Sequence, residues 1–199
     1  MSKKNLAIFF SVACIISSCS HKTYKEPTVK IETNFGDIIV ELYPEKAPKT
    51  VAAFLSYVDS GYYRNGSFYR VLKSADQPSS SFKSDLIQGG IWETKNKLQT
   101  SLPGIPLETT KQTGILHADG IISLARNTPN SGNTEFFILI GDQAGRAYDY
   151  GGDANSDGQG FAAFGKIIDG IDVVKDIHKQ PDNETNITPP IAIKDIVRL

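Results

Sequence analysis

Apolar residues fall at alternate positions in "VKIET" (29–33) and "DIIVELY" (37–43), the period of a strand with one face buried. The intervening "NFG" supplies a glycine-containing turn, so the two read as a hairpin. The period then changes. Across "APKTVAAFLSYVDSGYY", Val51, Phe54, Leu55 and Val58 recur at helical spacing, with Pro48 suited to a first turn and Gly61 to a stop. Short strand candidates follow: "SFYRVL", "LIQGGIW", "IISLAR", "EFFILIG" and "GFAAFGKII". A second amphipathic helix is predicted in "DGIDVVKDIHK", with Ile171, Val174 and Ile177 or His178 on one face, and "IAIKDIVRL" closes the chain as an alternating strand. Many short strands, two helices and no regular βαβ alternation point to a mainly β, largely antiparallel barrel or sandwich with helical caps.

The length of 199 residues suits one domain with a sizeable core. A charged fraction of 22% and 40% apolar residues exclude a disordered chain and a multispanning one. The net charge of −1 argues against a nucleic-acid binder. Two cysteines without a CxxC, and three scattered histidines, offer no metal framework, and no cofactor is expected.

Residues 1–18 have the layout of an export signal. "MSKK" is a basic start, and the apolar run "LAIFFSVACII" is too short to span a bilayer as a stable helix. Ile16, Ser17, Ser18 and Cys19 then resemble a bacterial lipobox, in which Cys19 becomes lipid-modified with palmitate-type chains; a plain cut after Ser18 or Ser20 is the alternative. Acyl chains contribute roughly 0.8 kcal/mol per buried CH₂, so a multiply acylated Cys19 would hold the protein at a membrane. Residues 19–27 read as the lipidated cysteine with a polar tether, and 28–199 as the folded domain. The expectation is an exported monomer, anchored by lipid to a bacterial membrane on the envelope side.

Two connectors are long for a compact barrel, 73–85 and 141–160. The second contains "DANSDG", whose Asp153, Asn155, Asp157 and Gly158 open like an EF-hand loop. The closing glutamate falls at Phe164 and no flanking helix is expected, so the cluster reads as a turn. His117 in "LHADG" likewise reads as a turn residue.

One position fits none of this patterning. Arg70 lies in the middle of the apolar "GSFYRVL", where a solvated strand face is the ordinary explanation. Other segments change that reading. "FYRVL" (68–72), "LIQGG" (86–90), "SLAR" (123–126), "TEFFILIG" (134–141) and "AFGK" (163–166), in that order, resemble the cyclophilin-type peptidyl-prolyl cis/trans isomerases. "ELYPEKAPKTVAAFL" and "GIDVV" extend the resemblance from about residue 29 to the C-terminus.

The resemblance implies a closed eight-stranded antiparallel β-barrel capped by two α-helices, with the active site on the outer face of the sheet. It implies catalysis by Arg70, held in place with the substrate backbone by Gln88. Phe137 would floor a proline pocket with Leu86, Tyr148 and Phe161 around it, while Phe136 points into the core. Ala125 and Arg126 would pair with the peptide backbone. Tyr69 stands where the family often has histidine, and Glu135 where glutamine is common; both are expected beside the peptide. Phe82, in the 73–85 insertion, is a further candidate for the pocket. The implied partners are proline-containing unfolded or extended polypeptides, and the implied role is folding outside the cytoplasm. The alternative is a catalytically weak module of the same fold that binds proline peptides as a chaperone.

Overall fold

The computed structural model describes residues 24–79 and 82–199. The expected export signal, Cys19 and the first part of the expected tether lie outside the described residues. Nine strands form one antiparallel sheet: β1 (Thr28–Thr33), β2 (Asp37–Leu42), β3 (Gly66–Leu72), β4 (Asp85–Gly90), β5 (Ile121–Leu124), β6 (Phe136–Ile140), β7 (Ala162–Asp169), β8 (Asp182–Asn183) and β9 (Asn186–Arg198). The order β1-β2-β7-β5-β6-β4-β3-β9 returns to β1 through a β1–β9 pairing, so eight strands close into a barrel. The two-residue β8 only extends β9 as a hairpin.

Alternation sets the inside. Val29, Ile31, Ile38, Val40 and Leu42 are fully buried, in the positions that the period of two assigns to the core. Helix α1 (Pro48–Asp59) packs against the same core. Its Phe54 ring lies 5.1 Å from Phe164, 5.3 Å from Tyr63 and 6.1 Å from Phe136. Its first turn is capped from a distance, because the Glu108 carboxylate accepts the backbone N–H groups of Lys49 and Thr50 at 3.1 and 2.8 Å. Gly61, at φ +66°, ends it in the left-handed conformation that glycine adopts without strain.

Two short helices were not expected from the pattern. Helix α2 (Trp92–Ser101) takes over where the strand "LIQGGIW" was predicted to continue, and α3 (Thr110–Thr113) is a single turn with a Thr109/Gln112 capping box. Helix α4 (Ile171–His178) is the second predicted helix; Val174 and Ile177 face inward, while His178 Nε2 meets the Leu72 carbonyl at 2.8 Å.

The arrangement of β3 answers the question that Arg70 raises. Strict alternation from the buried Phe68 would turn Tyr69 out, Arg70 into the core and Val71 out. Instead Phe68 and Val71 are both buried in the core, and a β-bulge lies between Phe68 and Arg70 in the pairings with both β4 and β9. The extra residue lets two consecutive side chains, Tyr69 and Arg70, face outward.

Candidate active site

On the outer face of β3, β4 and β6, bounded by the two long connectors, lies a groove of about 870 Å³. All ten residues singled out from the sequence line it: Tyr69, Arg70, Leu86, Gln88, Ala125, Arg126, Glu135, Phe137, Tyr148 and Phe161. The strand register explains the central group. Arg70 is directly opposite Gln88 across β3–β4, and Gln88 is directly opposite Phe137 across β4–β6. Directly opposed residues share a face, so the guanidinium, the amide and the phenyl ring project together.

The apolar part is a second, smaller cluster outside the barrel, formed by Leu86, Phe137, Leu139, Ala147 and Tyr148 with Phe82 and Phe161 packed on it. Phe137 is the hub, with its ring 5.1 Å from Phe161 at 83° and 5.5 Å from Tyr148. The connectors supply the walls. Phe82 lies edge-on to Tyr148 at 6.3 Å, and the Tyr148 hydroxyl is 2.7 Å from Ser84 Oγ. Gln77 fixes that segment by bonding the backbone of Ser84 in both directions. Phe82, whose place in the sequence lent it little support, thus belongs to the pocket wall.

Three features, involving four residues, differ from the expectation. Arg126 does line the groove, but its guanidinium turns to the 141–160 connector, where it binds the Asp157 carboxylate twice, at 2.7 and 2.8 Å, and the Gly160 carbonyl. That pairing and the Gln159 N–H hold the Asp157 carboxyl down to about 2. The EF-hand-like Asp157 is therefore an anchor for the loop. His117 is no exposed turn residue. It is fully buried and stacked on Phe137 from below at 6.0 Å, with Nδ1 2.7 Å from Asp149 and Nε2 3.0 Å from Ser123 Oγ. Burial opposes ionisation of Asp149, yet the bonds to His117 and the Gly145 N–H hold its carboxyl below the usual range.

The third is the pair Tyr69 and Glu135, expected to touch the peptide. Their polar atoms are turned to each other instead, with Tyr69 Oη donating to Glu135 Oε2 at 2.8 Å. Glu135 Oε1 accepts the N–H groups of Ile91 and Trp92 at 2.8 and 3.0 Å and the Thr134 hydroxyl at 3.0 Å. Burial raises the Glu135 carboxyl above its ordinary value, and those donors offset part of the rise. Burial, and then the Glu135 charge, push the Tyr69 phenol well above 10. Tyr69 in turn accepts from Gln88 Nε2 at 2.9 Å, and Gln88 Oε1 accepts from Arg70 Nη1 at 3.0 Å.

Comparison with known proteins then shows the family to which this closed barrel belongs. The family model described as "Cyclophilin type peptidyl-prolyl cis-trans isomerase/CLD" matches residues 28–198. The chain belongs to the cyclophilin-type peptidyl-prolyl cis-trans isomerases. Its curated relatives include a peptidyl-prolyl cis-trans isomerase of Acinetobacter baylyi, 32% identical over 77% of this chain and 72% of the relative. Peptidyl-prolyl cis-trans isomerase A of Dickeya dadantii is 30% identical over 99% of this chain and 95% of its own. Among solved structures, a Cryptosporidium parvum cyclophilin superposes with a TM-score of 0.67 at 27% identity, covering 87% of this chain and 97% of the other. The same parasite protein, solved in the presence of the dipeptide Ala-Pro, gives a TM-score of 0.65. On one face this cyclophilin presents Arg70, Gln88 and Phe137, with the hydrogen-bonded Tyr69 and Glu135 beside them.

Proposed function

We propose that this cyclophilin accelerates X–Pro rotation in extracytoplasmic, unfolded or extended polypeptides while tethered to a bacterial membrane through lipid on Cys19. The observation that carries the catalytic part is the placement of Arg70 by Gln88 at the rim of the Phe137 pocket. Rotation about an X–Pro bond must break amide resonance, a barrier of roughly 18–20 kcal/mol, and takes tens to hundreds of seconds unaided. Bringing it to milliseconds requires about 6–7 kcal/mol.

No nucleophile is needed. In the twisted state the proline nitrogen becomes pyramidal and its lone pair localises. A guanidinium that stays charged and presents donors in a rigid plane can hydrogen-bond that lone pair. The interaction arises mainly at the transition state, so it lowers the barrier and leaves ground-state binding little changed. The ring is gripped by Phe137, Leu86, Tyr148 and Phe161. With the ring held, only the other side of the amide turns. The backbone around Ala125 and Arg126 is the edge to which the flanking peptide would pair.

NMR exchange on an Ala-Pro peptide, free of any protease, tests this. Wild type should accelerate exchange and Arg70→Ala should lose at least about a hundredfold, the loss typical of one transition-state donor. No acceleration by wild type, or an equal rate in the variant, contradicts catalysis; retained peptide affinity without turnover would instead favour the chaperone-like binding module. The anchor rests on the basic start, the apolar run and the Ile16–Cys19 sequence. Radiolabelled fatty acid should enter wild type and not Cys19→Ser, and label in both would refute it.

A further inference from the structure

The bonds around Arg70 form a directed chain. Ile91 and Trp92 offer only N–H groups to Glu135, so the residue at 135 must accept from that side. A carboxylate can accept on its other oxygen too, and it does so from the Tyr69 hydroxyl. With its proton committed to Glu135, the phenol oxygen can only accept from Gln88. The Gln88 amide is thereby turned with NH₂ toward Tyr69 and its carbonyl toward Arg70. We infer that Tyr69 and Glu135 are positioning residues, whose carboxylate-to-phenol bond sets the amide orientation of Gln88 and so fixes Arg70 in its catalytic pose. The inference rests on the reading of Arg70 as the catalytic donor. It takes Tyr69 and Glu135 out of the set expected to touch the peptide.

The geometry supports a dedicated device. Glu135 is 8% and Tyr69 9% exposed, and the hydroxyl and carboxylate are bonded to each other. The β3 bulge places Tyr69 beside Arg70, and Gly90 leaves room for the carboxylate, since a Cβ there would lie 2.5 Å from it. An isolated buried carboxylate would be costly, and four donors surround this one.

The discriminating variant is Glu135→Gln, which keeps shape and removes one acceptor. Its carbonyl must face Ile91 and Trp92, so its NH₂ faces Tyr69. The phenol then accepts from residue 135 and donates to Gln88, whose amide flips and presents NH₂ to Arg70, donor against donor. Tyr69→Phe removes the relay without reversing it.

Both variants should lower kcat on the Ala-Pro peptide by about tenfold or more while KM stays within about twofold, because only the transition-state donor is misplaced. Without substrate, the Gln88 side-chain NH₂ resonances should shift in both. A KM rise at unchanged kcat would overturn the inference and restore peptide contact. So would kcat within about twofold of wild type in both variants while Arg70→Ala remains inactive. If Glu135→Gln fails to fold, Tyr69→Phe decides alone by the same criteria. If wild type itself shows no turnover, the catalytic reading fails. The NH₂ resonances then still report the relay, and their lack of change in the two variants would refute it.

Discussion

At Gly90 the backbone runs at φ +152°, a region that side chains strain to enter, and the space a Cβ would take is held by Glu135. Gly90→Ala should therefore cost stability by about 1–3 kcal/mol, read as a lower denaturation midpoint, and also displace the carboxylate. The substitution thus lowers both stability and kcat. Glu135→Gln separates them. A carboxyl whose folded pKa is raised contributes stability below its unfolded value, and loses it as pH rises through the folded value. Burial makes the ionised Glu135 costlier to hold at neutral pH than the protonated form at acid pH, so the isosteric amide, which carries no charge, should melt no lower than wild type. Arg70, Gln88 and Phe137 were legible in the sequence only together, because the ordered set of segments that carries them resembles one family. The Tyr69–Glu135 pair was not. Each residue alone looked like a departure from the family, and nothing local announces a bond between positions 66 residues apart.

Elements were legible where an apolar period exists. Strands β1 and β2 and helix α1 follow theirs. Helix α2 has none: "WETKNKLQTS" buries no residue, and its first N–H groups are satisfied by Glu135 from β6's approach. Tertiary capping, invisible to periodicity, starts it, and Lys95, at φ −139° and ψ 46°, kinks it into two short helical pieces. The β3 bulge is equally silent, since "FYRV" obeys no simple alternation. The 141–160 connector was legible as a loop but not as a wall. Its anchor is the Arg126–Asp157 pair. Asp157 is depressed to about 2 from 3.8, so the pair persists above the ordinary carboxylate range and is lost only as pH falls through about 2. Amide protection factors across 152–160 should be unchanged from pH 7 to 4, and should fall at pH 7 in Asp157→Asn, with a higher KM for peptide.

For the whole molecule, the eight closing strands and two of the four helices follow from the pattern, and barrel closure followed only from family resemblance. No period in a sequence states that β9 pairs with β1. The barrel wall keeps two apolar regions apart, and adjacent phenylalanines report on them. Phe136 is fully buried inside, edge-on to Phe54 at 6.1 Å and Phe68 at 5.8 Å; Phe137 floors the outer pocket. Phe136→Ala should cost about 3–5 kcal/mol in chemical denaturation. Phe137→Ala should cost less and raise KM about tenfold or more, the measure of a lost apolar grip.

The β1–β9 seam joins residues from opposite ends of the domain, with Val29 against Arg198 and the Leu199 N–H on the Thr28 carbonyl at 2.9 Å. A nascent chain emerging from the ribosome can pair β1 with β2 at once, but the other edge of β1 has no partner until β9 has been made. The barrel therefore stays open until the last segment arrives, because β1 and β3 each lack a neighbour without it. On the export route proposed above, such late closure keeps the chain threadable through a narrow channel.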